Sequence, residues 1–203
     1  MRRAPILLIL AYGQLSGQST STEPALQIRF CDEVALADVD FARLRDLVSA
    51  TLGKAGVGSV WLYCSVSNPG ANPVGCREAL KPPEVVVRLR PQGQGRHAQA
   101  LGVSVAPKDG TGVHAHIHFA QIQNLAARAR TDLPAILAIT TLHEIGHLLM
   151  GPAHYPAGIM QSHWTEGRVA EVIRHGLFFQ EFQSRTLRVN LAARASRCVR
   201  GAN

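Results

Sequence analysis

His143-Glu-Ile-Gly-His-Leu-Leu-Met-Gly-Pro-Ala-His-Tyr-Pro-Ala-Gly-Ile-Met160 is the run from which the chain is best read. His143 and His147 stand four positions apart, which on an α-helix puts both imidazoles on one face, one turn apart. Two neutral imidazoles so placed can each give a nitrogen to one Zn2+ at about 2.0–2.1 Å. Glu144 follows the first histidine, so its carboxylate falls beside the metal, where it could take a proton from water held there. Upstream, Asp132 is a candidate N-cap and Pro134 fits a first turn, before the apolar stretch up to His143. Downstream, Gly151 suits a left-handed helix end and Pro152 blocks continuation. His154 comes three residues past that turn, placed to swing back as a third ligand. Three protein ligands leave one position open, the arrangement of a catalytic rather than a structural zinc. The competing reading is an amphipathic core helix whose histidines are satisfied by hydrogen bonds. It leaves Gly151, His154 and Met160 unexplained.

The helix, the Gly turn, the third His and the nearby Met resemble the metzincin zinc peptidases, with the matrixin branch as the comparison. Their pattern is H-E-x-x-H-x-x-G-x-x-H followed by a Met-containing turn under the metal. The resemblance implies His143, His147 and His154 as zinc ligands, Glu144 as general base and Gly158-Ile159-Met160 as the Met-turn. It covers roughly residues 25–165. In this chain Gly151 and His154 each come one residue later than in that pattern. One extra residue rotates the downstream chain by about 100° if the helix simply continues, unless a tightened or bulged last turn absorbs it. Three alternatives to His154 therefore stay open. His163 could reach the metal, or instead donate to an oxyanion. Glu166 and Glu171 lie where a following helix supplies the third ligand in thermolysin-like enzymes.

The chain has 203 residues, 46% of them hydrophobic, which suits one domain with a proper core. The start, Met1-Arg-Arg-Ala-Pro-Ile-Leu-Leu-Ile-Leu, reads as a secretory signal peptide over 1–18 and is too short to span a bilayer. The rest, 19–203, reads as a single zincin-like metallopeptidase domain, with subdomains 25–151 and 152–203. The expected location is secreted or periplasmic. The formal net charge is +7, with arginines spread along the C-terminal third. No recognition motif accompanies them, so a solvated helix face is expected and nucleic acid is not. Four cysteines in an exported chain allow disulfides. The favoured pairs are Cys64–Cys76 and Cys31–Cys198.

Along the chain, strands are expected at 25–31, 60–66, 85–89, 101–105 and 113–119, with a helix at 38–52 capped by Asp38. The metal helix follows the fifth strand directly. The order implies an α/β fold: a mixed, mostly parallel five-stranded sheet over two helices, with a C-terminal helical subdomain. By the resemblance, Leu101, Gly102 and Val103 lie on an antiparallel edge strand that pairs with an extended substrate, by strand addition. His114, His116 and His118 share one face of the fifth strand and echo a structural zinc site of matrixins, which would need further ligands such as His97 or Asp109. The plainer reading is a polar sheet face. Near the end, a helix from Thr165 to Arg174, a break at His175-Gly176 and a last helix over 180–195 are expected. Phe178, Phe179, Phe182 and Leu187 are expected to pack under the Met-turn.

These readings converge on a monomeric zinc endopeptidase acting on peptide or protein substrates. The alternative is a catalytically inactive zinc-binding interaction domain of the same fold, for which Glu144 would be superfluous.

Overall fold

The computed structural model describes residues 24–200, with side chains through Arg197. The segment read as a signal peptide lies outside the described residues. Five strands form one mixed sheet: β1 (Leu26–Asp32), β2 (Ser59–Ser65), β3 (Glu84–Arg90), β4 (Gly102–Ser104) and β5 (His114–His118). Their spatial order is β2-β1-β3-β5-β4. All neighbours are parallel except β4, which runs antiparallel to β5 at the edge. Five helices accompany them: α1 (Asp38–Lys54), α2 (Phe119–Ala129), α3 (Leu133–Met150), α4 (Glu166–His175) and α5 (Glu181–Arg200).

The strands alternate as a half-buried sheet requires. Ile28 and Phe30 of β1 register with Val85 and Val87 of β3, Val87 and Leu89 register with Ala115 and Ile117 of β5, and all of these and Leu26 are buried. Against this face packs α1 through Leu44, Val48 and Leu52, four apart and fully buried. Beside it runs α3, buried on every side from Pro134 to Leu149. By length and composition α3 could cross a membrane, yet 89% of it is enclosed by protein, which marks a central core helix. Val169 and Val172 of α4, and Leu187 and Leu191 of α5, close the same core from beyond α3.

The turn into α1 is held by Asp32, whose fully buried carboxylate accepts from Val34 N (2.8 Å), Leu36 N (2.7 Å) and Tyr63 Oη (2.7 Å). Asp38 is therefore not the cap. Ala37 holds that position without a side-chain bond, and Asp38 sits in the first turn. Asp132 does occupy the cap position of α3, but its carboxylate makes no capping bond and instead pairs with Arg43 at 3.1 Å.

Helix α2 was not expected: the fifth strand runs straight into it, with no turn residue between. Its buried Ile122, Leu125 and Ala126 have helical spacing. Its end is marked not by glycine but by Arg130 at φ 50°. Cys64 and Cys76 form a disulfide. Cys31 does not pair with Cys198: its thiol is free, and the Cys198 side chain lies outside the described residues. Cys31 alternates with Phe30 and so points to the sheet face away from the helices, where it registers with Arg88, whereas α5 packs on α3. Of the four apolar residues expected under residues 158–160, Phe179 and Leu187 are buried while Phe178 and Phe182 are substantially exposed. Phe178 meets that turn through its backbone, accepting from Ile159 N, and the Phe182 ring packs on Tyr155.

Replacing a carboxylate that accepts three hydrogen bonds leaves buried donors unmet. Asp32→Ala is expected to cost about 2–3 kcal/mol, read as a lower urea midpoint. Tyr63→Phe, which removes one of the three donors, is expected to cost less; equal midpoints for both variants and the parent would mean that the turn is held by other contacts.

Candidate metal centre

Helical spacing on α3 brings His143 and His147 to one face, and both are buried. Each ring is aimed by a backbone carbonyl. His143 Nδ1 lies 2.9 Å from Ile159 O, and His147 Nδ1 lies 3.0 Å from Gly151 O. A carbonyl can only accept, so each Nδ1 carries the proton and donates. In a neutral imidazole the other nitrogen, Nε2, is then a bare lone pair. Both rings are neutral near pH 7: burial pushes His143 down to about 4 and lowers His147 too.

The two Nε2 atoms stand 3.0 Å apart, and His147 Nε2 stands 3.1 Å from His154 Nε2. Two lone pairs at that distance cannot hydrogen-bond to one another. They suit a shared cation, since nitrogens on one tetrahedral zinc lie roughly 3.3 Å apart. Among the described residues, His143, His147 and His154 are the one group of three or more such side chains whose ligand atoms all lie within 4.8 Å. The donor set fits zinc: neutral nitrogens, each of the first two oriented by a carbonyl behind it.

The extra residue before Gly151 lengthens the helix, and the turn at Gly151 brings His154 back to the cluster. α3 runs to Met150, Gly151 N still donates to His147 O at 2.9 Å, and the chain then turns at φ 91°. The turn differs from a left-handed cap in its extended ψ of −173°. Behind the rings, Met160 is fully buried against Gly146, which lies between the two histidines on α3. A Cβ at Gly146 would overlap the Met160 sulfur.

Glu144 is buried beside this cluster, and burial pushes its carboxyl up to about 7, with a hydrogen bond from Ser104 acting the other way. The edge strand β4 lies directly over it. A Cβ on Gly102 would come within 2.9 Å of Glu144 Oε1 and Cγ, so β4 approaches this closely only with glycine there. Leu101 O accepts from His118 N, and Val105 N donates to His114 O. With Gly102 opposite Ile117, the backbone groups of Leu101 and Val103 face β5, and those of Gly102 and Ser104 face the open edge.

The cleft under that edge has a volume of about 730 Å³. The three histidines and Glu144 line its floor, residues 99–104 its rim, and Gln121, Asn124 and Arg128 of α2 one wall. Trp164 adds its ring, 6.4 Å from His143. Trp164 and the α2 residues were not singled out by sequence, and Ser104 only as part of the edge strand at 101–105; the helical spacing of Ile122, Leu125 and Ala126 was the available signal for α2.

The rival ligands lie elsewhere. His163 lines the cleft but stays outside the cluster, with Nδ1 on Ser162 Oγ at 2.8 Å. Glu166 is paired with Arg128 at 2.6 Å, and Glu171 lines a separate pocket with Arg168 and His175. His114, His116 and His118 gather no ligand set with His97 or Asp109 among the described residues. They share the sheet face turned away from α3, and His118 Nδ1 bonds Ala100 O at 2.8 Å.

The sequence matches no known protein-family model and no curated protein. The structure does have a likeness among solved proteins. The chain is similar in fold to the archaemetzincin of Methanopyrus kandleri. The two superpose with a TM-score of 0.52 over 82% of this chain and 96% of that one, at 16% sequence identity. At that identity the likeness concerns the fold. The archaemetzincin, by its name, is one of the metzincins, and the α/β architecture with its mostly parallel sheet is common ground.

Metal binding should be visible in stability. Zinc added to metal-free protein at 100 times its Kd is expected to contribute about 2.7 kcal/mol and to raise Tm. His147→Ala is expected to abolish the rise. A parent whose Tm ignores added metal would show that the three rings serve packing alone.

Proposed function

We propose that this protein is a zinc-dependent endopeptidase. The observation that carries the proposal is the convergence of three imidazole nitrogens next to a buried carboxylate, under a free sheet edge. His143, His147 and His154 would hold the zinc. When bound, zinc supplies Lewis acidity that polarises a carbonyl and acidifies water.

The remaining work falls to the chain's own residues. Gly102 and Ser104 offer backbone N–H and C=O groups to an extended peptide, which adds to β4 as a further strand. Such pairing reads backbone and not side chains, so peptide is the natural substrate class. It also lays the scissile bond over Glu144. The Glu144 carboxylate takes a proton from the attacking water and passes it to the leaving amine. Its elevated proton affinity, a result of burial, suits both halves of that transfer near neutral pH. Burial also keeps bulk water from competing for the proton. Met160 touches no substrate and supports α3 from below. The Cys64–Cys76 disulfide supports an exported protein as part of the same proposal.

An inactive binding domain of the same fold would need the histidines but not Glu144, nor a glycine at 102 to let β4 approach it. The deciding experiment uses purified protein without a His tag, its metal content, and hydrolysis of a peptide library. Glu144→Gln is expected to keep one zinc and lose about 10²–10⁴-fold in kcat. Gly102→Ala is expected to keep the zinc and lower kcat by displacing Glu144. Zinc-loaded parent that cleaves nothing would overturn the peptidase reading in favour of the binding domain.

A further inference from the structure

The second half of α5 carries side chains that a mere surface helix would not need. Arg194 is buried, and all its hydrogen bonds among the described residues end on backbone carbonyls: Gly110 O (2.6 and 3.1 Å), Gly112 O (2.5 Å) and Leu148 O (2.7 Å). One turn earlier, Asn190 Nδ2 donates to Leu149 O at 2.6 Å. Burying a guanidinium is costly, and an apolar residue would pack a helix interface more cheaply.

The carbonyls chosen are the informative part. Leu148 and Leu149 lie between His147 and Gly151, in the last turn of α3, where carbonyls run out of helical donors. The donor due to Leu148 O would be the amide of residue 152, and Pro152 has none. The donor due to Leu149 O would come from Ala153, which lies beyond the Gly151 turn. Arg194 and Asn190 supply the two missing donors. The same guanidinium also grips Gly110 and Gly112, in the connection from β4 to β5. One side chain thus ties the cleft's rim strand to its floor helix, from the side away from the ligands.

We propose that Arg194, assisted by Asn190, is a positioning residue for the metal centre. It fixes the turn that connects His147 to His154 and sets the height of β4 above Glu144. The inference rests on the metal reading above. It assigns α5 a task in holding ligand geometry, and it explains why arginine stands at 194: a planar fork reaches three carbonyls on two segments at once.

Zinc affinity, measured by competition with a chromophoric chelator, and the visible spectrum of the Co2+-loaded protein report ligand geometry apart from global stability. Four proteins suffice: parent, Arg194→Lys, Asn190→Ala and Arg188→Ala, all measured below their melting temperatures. Arg188 is the control, because it reaches from the same helix to Ala55 O at 2.8 Å, at the end of α1. Arg194→Lys and Asn190→Ala are each expected to weaken zinc roughly 10-fold or more and to change the cobalt spectrum. Arg188→Ala is expected to lower Tm and leave both unchanged. Unaltered zinc affinity in folded Asn190→Ala and Arg194→Lys would overturn the inference, as would equal weakening in Arg188→Ala. Should Arg194→Lys fail to fold, Asn190→Ala decides. A parent that binds no metal would overturn the metal reading and this inference with it, whereas a zinc-binding parent with unaffected variants overturns this inference alone.

Discussion

Two backbone carbonyls, Ile159 O and Gly151 O, determine what the histidine cluster can do. By accepting from Nδ1 they choose the tautomer of His143 and His147 and turn both lone pairs inward. Without them, two buried neutral histidines could hydrogen-bond in many ways, and their closeness would carry little meaning. Much of the C-terminal segment can be read as support for those carbonyls. Ile159 is held by Phe178 O, Met160 O accepts from Tyr155 N, and Met160 fills the notch at Gly146.

A second constraint is the distance between the sheet edge and α3. An antiparallel strand at the edge of a parallel sheet exposes its outer backbone groups, a hazard that folds usually blunt. Here the edge strand is three residues long and lies over a cleft. Glycine at 102 lets it come close to a carboxylate that would otherwise be wet. Burial raises the proton affinity of Glu144, while Ser104 on the same strand offsets part of the rise with a hydrogen bond.

What could be read from the sequence divides by range. The pairing of His143 with His147 was legible because it depends only on helical pitch, and the strands from their alternation. The mostly parallel sheet followed from their order, whereas its antiparallel edge came only from the resemblance to metzincins. The place of His154 was less so: it depends on how the chain leaves α3, and Gly151 adopts a turn other than the ordinary helix cap. Helix α2 was missed because Arg130 takes the left-handed position where glycine would have announced an end. Cys31 was misassigned because pairing by sequence ignores which sheet face a side chain occupies. Asp132 marks the start of α3 as its residue type suggests, yet spends its charge on Arg43. Arg194 could not have been found at all, since nothing local separates it from its exposed neighbours; only the fold reveals that it points inward.

The order of these parts along the chain has a consequence for biosynthesis. The histidines and Glu144 leave the ribosome before the segments that aim them. Ile159 follows His143 by sixteen residues, and Arg194 follows Leu148 by forty-six. Domains form from the N-terminal side as synthesis proceeds, so the sheet and α3 can assemble while the rings remain unguided. The donor atoms are thus present well before the framework that directs them. The end of α3 is completed last, when α5 closes against it and supplies the donors that Leu148 O and Leu149 O lack.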